Sequence, residues 1–249
     1  MAPLSAFVLH RRAYGEKDLL LELWVRELGR VPAMAHRVRG SRGNRQAELV
    51  PYQLLELQLR GRGEVRSLQH WEIQRLSPAP VGNDALVGLY LNELLVRLLP
   101  RQEPEVELFE HYRLLLEFLL SPPSPANLDA VAEDRGQQLE ARLRAFELTL
   151  LGALGYGLDL LHTQGGMAVD SDGRYVVDLQ GGVRALTDGP WSGRVLQSLA
   201  ALQQGTSANQ SALELRRQQR QLLRSLLSEL LGDRPLAAWG MIRQRTPGG

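Results

Sequence analysis

Between Ala6 and Ile73, glycine-bearing turns divide the chain into five short apolar runs, and that spacing leaves few folds open. The runs are Ala6–Leu9, Leu19–Val25, Gly29–His36, Leu49–Leu59 and Val65–Ile73. In the fourth, Leu55, Leu57 and Leu59 alternate with Glu56, Gln58 and Arg60, the two-residue period of a strand buried on one face. Gly29 opens the third run, and Gly61-Arg62-Gly63 turns the chain between the fourth and fifth. Short strands at such spacing close on themselves more readily than they stack, so a small β-barrel is expected.

The pattern changes after Ser77-Pro-Ala-Pro80, which predicts a domain boundary. Asn83 or Asp84 can cap a helix that Pro100 stops, and Pro104-Glu105 opens another through Leu119. Leu139, Leu143, Phe146, Leu150 and Leu154 recur at intervals of three and four, an apolar stripe on a helix over 135–154. Helices are expected again over 192–204, 208–231 and beyond Pro235. Between them, Arg174–Leu179 and Val183–Leu186 flank Gly181-Gly182 as a hairpin. The expected fold is therefore α+β in two domains: a β-barrel over 1–78 and a mostly helical domain over 82–249, with a small hairpin subregion at 162–189.

The formal net charge of +1 hides an uneven distribution. Residues 1–80 carry 13 Lys+Arg against 8 Asp+Glu, and residues 81–160 carry 6 against 13. A basic first part and an acidic middle point to different partners. Lys17 is the single lysine; every other cation is arginine, whose planar fork suits phosphate and stacks on bases. The chain has no cysteine, which removes disulfides, thiolate metal sites and cysteine nucleophiles. No apolar run reaches the ~18 residues of a membrane span. The first residues also lack the charge-then-apolar order of a secretory leader, so the cytoplasm is the expected location.

Catalytic patterns do not emerge. The sequence holds neither a phosphate-binding loop with its Gly-Lys-Ser/Thr ending nor a Gly-x-Ser-x-Gly nucleophile turn. The five histidines are scattered, and Asp170-x-Asp172-Gly173 lacks the later acidic ligands of a calcium loop. The expectation is a protein that is not an enzyme and has no cofactor.

The strongest binding signal is cationic. Arg37, Arg39, Arg42 and Arg45 fall between the third and fourth strands, interleaved with Gly40, Ser41, Gly43 and Asn44, as a flexible loop able to follow a phosphate backbone. Arg60, Arg62 and Arg66 flank the second glycine turn and extend the patch. Of the aromatic residues in this part, Phe7 and Trp24 have apolar neighbours and are expected to be buried. Tyr14 follows Arg11-Arg12 and is the candidate for exposure.

Four stretches, taken in order, resemble the RecO family of DNA repair proteins. They are Ala6-Phe-Val-Leu-His-Arg-Arg-Ala-Tyr-Gly-Glu16 with Leu19–Leu23 and Gly29-Arg30; Gly61–Leu68; Gly88-Leu-Tyr-Leu-Asn-Glu-Leu-Leu95 with Glu107–Glu110; and Phe146–Tyr156. The resemblance implies that the barrel is an OB-fold. It implies binding of single- and double-stranded DNA and annealing of complementary strands in the nucleoid-associated cytoplasm. It also implies partnership with RecR and with the acidic C-terminal tail of single-stranded DNA-binding protein, so that RecA can load. The family's basic loop maps onto 35–45, where His36-Arg37 stands in place of the usual Lys-Gly. Many relatives carry a four-cysteine zinc site after the Leu-Gly-Tyr segment. This chain resembles the zinc-free branch, which leaves its hairpin to be held by packing. Arg142 and Arg144, on the striped helix, are candidates for the cation beside an apolar tail-binding pocket. A rival reading makes the chain a protein-binding adaptor that works through its acidic middle, residues 84–147.

Overall fold

The computed structural model describes residues 3–40, 45–75, 79–121, 128–205 and 212–245. Five strands, β1 (Leu4–Tyr14), β2 (Asp18–Val25), β3 (Gly29–Ala35), β4 (Leu54–Arg60) and β5 (Arg66–Arg75), close into a barrel in the order β1-β2-β3-β5-β4. The β3–β5 pairing is parallel and the other four are antiparallel, which is the OB-type closure. Alternate side chains fill the interior: Leu19, Leu21, Leu23 and Val25 from β2 meet Val31, Ala33 and Ala35 from β3 and Leu55, Leu57 and Leu59 from β4. Pro32 sits within β3, but β5 pairs only with Ala33–Ala35, so the missing N–H falls where β3 has a single neighbour.

Two expectations on this barrel need correcting. Strand β1 is far longer than Ala6–Leu9: it starts at Leu4 against β4, and its pairing with β2 resumes after a bulge between Val8 and His10 and runs to Tyr14. Leu49 belongs to no strand. With Val38 it lies in the barrel core cluster, so the connection between β3 and β4 contributes core side chains.

The helices are α1 (Gly82–Leu98), α2 (Val106–Leu120), α3 (Leu128–Ala153), α4 (Gly193–Gln203), α5 (Leu213–Leu231) and α6 (Ala237–Arg245). A small sheet, ordered β7-β6-β8, is made of β6 (Arg174–Asp178), β7 (Gly182–Ala185) and β8 (Trp191–Ser192). Helix α3 begins earlier than its apolar stripe, through a charged first segment that the stripe could not reveal. Packing groups residues 1–109 with 235–249 as one compact unit and 110–234 as the other, the border falling inside α2.

In the first unit, α1 is fastened to the barrel. The bulge leaves Leu9 outside the β1–β2 ladder, and the buried Asn92 amide donates to its carbonyl at 2.8 Å. Glu93 accepts from the Ala237 and Ala238 N–H groups and so caps the start of α6. Gly88 faces Tyr52, whose ring lies 2.9 Å from where a Cβ would be. The Tyr52 phenol is pushed up to about 12 by burial.

In the second unit, α3 packs on α4 and α5 around Phe146, Leu150, Val195, Leu199, Leu222 and Leu226. The 158–192 segment is held by more than packing. Asp159 accepts the Leu161 and His162 N–H groups. Asp178 accepts those of Gln180 and Gly181 and pairs with Arg184. Gly193 approaches Asp170 so closely that a Cβ would overlap its carbonyl.

Candidate nucleic-acid interface

The register of the barrel gathers three loops around the end of β3. Leu19, at the start of β2, pairs with Ala35, so the β1/β2 turn lies on one flank. Ala33 pairs with Arg66 at the start of β5, so the β4/β5 turn lies on the other. Each is one strand spacing away, ~4.8 Å. The third loop is the continuation of β3 itself.

That continuation is less loose than its glycines suggest. The Arg39 N–H donates to the Lys17 carbonyl, and its guanidinium donates to the Gly15 carbonyl, both at 3.0 Å. Asp18 accepts the Arg37 N–H at 2.8 Å through one oxygen and meets His36 Nδ1 at 3.1 Å through the other. These contacts, the Arg37 N–H first and His36 second, hold the Asp18 carboxyl below its ordinary value. Arg37 has φ +54°, a conformation that glycine takes freely and other residues adopt at a cost. The hydrogen bond to Asp18 offsets part of the cost to a side-chain-bearing residue, about 1–2 kcal/mol. The cationic character of position 37 is thus kept together with backbone strain.

Lys17, Arg37, Arg39, Gly40, Gln46 and Glu16 surround an open depression of about 590 Å³. Arg37 is exposed and Arg39 half-buried. Arg42 lies outside the described residues. Arg45, in a single 3₁₀ turn over Arg45–Ala47, places its guanidinium 3.8 Å from the centre of the Trp71 ring, while the Trp71 indole donates to Glu48 at 2.9 Å. Arg11 donates to the Gln46 and Leu49 carbonyls and ties this turn to β1.

Arg60 and Arg62 are exposed at the β4/β5 turn. Arg66 is half-buried and shares the inward-facing row of Leu21 and Ala33, with its Nε enclosed. Among the described members of the series it is the one whose guanidinium Nε is closed off from a ligand.

One row was missed by the sequence reading. Arg12, Leu20, Met34, Ser67 and Arg60 are successive partners across all five strands, and all point outward. Arginines stand at both ends, with half-buried Leu20 and Met34 between them. The bulge hides this row. Without the extra residue, strict alternation from Phe7 would turn Arg12 and Tyr14 inward.

At the other end the same outer face is covered. Phe7 and Trp24, 3% and 0% exposed, stack on Phe109 with ring centres 5.2 and 5.3 Å apart. Arg30 donates to the Leu99 carbonyl and to Glu22, which also pairs with Arg101.

In the second unit Arg142 and Arg144 part company. Arg142 is exposed, its guanidinium 4.7 Å from the centre of the Phe118 ring, which Arg135 also approaches at 4.5 Å. Arg144 is 8% exposed and bound to the buried Glu147 at 3.0 Å, which withdraws its own charge from the surface. No group of acidic, histidine or cysteine side chains suited to a metal ion occurs among the described residues. None of their helices is long and apolar enough to cross a membrane.

Family models match both parts of the chain: recombination protein O N terminal over residues 1–76 and recombination protein O C terminal over 82–239. The chain is 39% identical to DNA repair protein RecO of Alkalilimnicola ehrlichii, an alignment covering 97% of this chain and 92% of the relative. Its identity to the protein of the same name is 35% in Pseudomonas putida, with 96% of each chain covered, and 36% in Cellvibrio japonicus, with 97% of each covered.

Proposed function

Because the chain belongs to the RecO family of DNA repair proteins, we propose that the open end of its barrel binds DNA without catalysing a covalent step. The observation that carries this reading is the convergence of Lys17, Arg37 and Arg39 on one depression at the end of β3, flanked by Arg60 and Arg62. Guanidiniums there neutralise phosphate, two strands can then approach, and base pairing drives annealing. RecR, the acidic tail of single-stranded DNA-binding protein and RecA loading enter as the family's partners and outcome, in the cytoplasm at the nucleoid. For the acidic tail we assign Arg142, which sets a cation against the Phe118 ring. A fluorescent acidic peptide should lose affinity for Arg142→Ala, and equal affinity would remove the assignment.

Titrating a labelled single strand at several salt concentrations tests the DNA site. About four phosphate contacts give a slope of log affinity on log salt near −3. The double variant Arg37→Gly/Arg39→Ala should flatten it by about 1.4, at ~0.7 per contact. Arg37→Gly alone should lower affinity while keeping or raising stability, since glycine takes the positive φ freely. An unchanged slope in the folded double variant would take both residues out of the site. A wild-type chain that binds no DNA at physiological salt, yet binds protein partners through residues 84–147, would favour an adaptor instead.

A further inference from the structure

We propose that Tyr14 is a base-stacking platform, and that it makes the open end of the barrel read unpaired bases as well as phosphates. The inference rests on the DNA-binding reading above and adds the part of the ligand that the arginines leave unspecified. Tyr14 ends β1 and is 55% exposed, the one aromatic among the exposed large apolar side chains of the described residues. It is not needed by the core, and it pairs with Asp18 across the turn whose Gly15 and Lys17 carbonyls Arg39 holds. Tyr14 therefore stands at the turn whose Glu16 and Lys17 line the cationic depression.

Its surroundings continue the platform. Leu20 is the diagonal neighbour of Tyr14 across the β1–β2 ladder, and Met34 lies directly opposite Leu20 on β3. Both are half-buried and face outward, so an apolar path leads from the ring over the barrel surface between Arg12 and Arg60. Phosphates held at the rim place their bases over such a path, and every unpaired base offers a flat face to an aromatic ring. Paired bases are already stacked within the duplex and gain nothing from it. Tyr14 thus supplies a preference for single strands that charge alone does not.

The experiment is fluorescence anisotropy with three probes of equal length: oligothymidylate, the same backbone with abasic sites throughout, and a duplex. Tyr14→Ala should weaken oligothymidylate binding about five-fold or more, the usual effect of removing one base–aromatic stack. Its affinity for the abasic strand and the duplex should stay within about two-fold, with the salt slope unchanged. Tyr14→Trp should bind as the wild type does, and its added emission should be quenched by oligothymidylate but not by the abasic strand. If the wild-type chain binds and Tyr14→Ala binds oligothymidylate equally well, or loses all three probes in proportion, the stacking role is overturned while the DNA-binding reading stands. If the wild-type chain binds none of the probes, both fall. If oligothymidylate leaves the added emission of Tyr14→Trp unchanged, the role is overturned even where the alanine variant does not fold.

Discussion

The outer face of β1 and β2 has two ends made from the same two strands, and they are used in opposite ways. At the closed end Phe7 and Trp24 lie under Phe109, Gly29 abuts the Glu103 backbone, and Arg30 and Glu22 turn their charges on Leu99 and Arg101. At the open end, one bulge further along, Arg12 and Tyr14 are exposed, and the cations beside them face solvent or backbone carbonyls. The difference shows that a cationic residue in this barrel is not by itself a ligand contact. Arg30 carries the same guanidinium as Arg37, yet it is consumed within the fold by the Leu99 carbonyl and Glu22. The contrast makes a sharp claim: changes at the closed end should cost stability and spare DNA affinity per folded molecule, and changes at the open end should do the reverse.

The largest effect is expected at Gly29. A Cβ there would lie 2.1 Å from the Glu103 carbonyl oxygen, and the residue already has φ +73°. Backbone cannot swing aside as a side chain can, so Gly29→Ala should destabilise by more than about 4 kcal/mol. Denaturant unfolding with a wild-type midpoint would break the picture of a closed end fixed by direct backbone contact. Next comes Phe109→Ala, which uncovers two aromatic rings and should cost about 3–5 kcal/mol. The surviving folded fraction should bind a single strand with wild-type affinity. A loss of affinity in that fraction would show that the two ends are coupled. Asn92→Ala should cost less, about 1–3 kcal/mol, because it leaves the Leu9 carbonyl buried without its partner. Thermal melts of this variant at two salt concentrations should shift equally, since no net charge is involved.

Much of this fold was legible because its signals are local. The five strands follow from leucine alternation and glycine turns, and the helical stripe of α3 from its spacing. The hairpin around Gly181-Gly182 follows from its turn chemistry. What was not legible is what depends on register. A single inserted residue at Leu9 reverses the facing of everything after it in β1. No propensity marks that position; its signature is Asn92, 83 residues away in sequence, reaching back to the Leu9 carbonyl. The family motif around Gly88–Leu95 is therefore read best as fastening, since Gly88, Asn92 and Glu93 each meet a neighbour that the sequence alone does not place. The arginines split for the same reason. Arg144 looks identical to Arg142 in composition, and only the phase of the helix sends one inward and the other out; Arg62 stays exposed in the turn, while Arg66 takes an inward position at the start of β5.

The smallest predicted effect tests whether the open end is held at all. Asp18 is the contact that carries Arg37 in its left-handed conformation, through its carboxylate. Its folded-state carboxyl titrates below the ordinary Asp value of 3.8, chiefly because the ionised oxygen accepts the Arg37 N–H. A depressed carboxyl stabilises the fold at pH above its unfolded value and loses that contribution as pH falls through the folded one. Asp18→Asn should therefore be slightly less stable than wild type at pH 7, and the gap should close as the pH is lowered below 3.8. Paired denaturation curves between neutral and acidic pH measure it. A gap that stays constant, or widens in acid, would mean that the loop carrying Arg37 and Arg39 is positioned by something other than this carboxylate, and the fixed geometry of the open end would have to be sought in Arg39 and the β1/β2 turn instead.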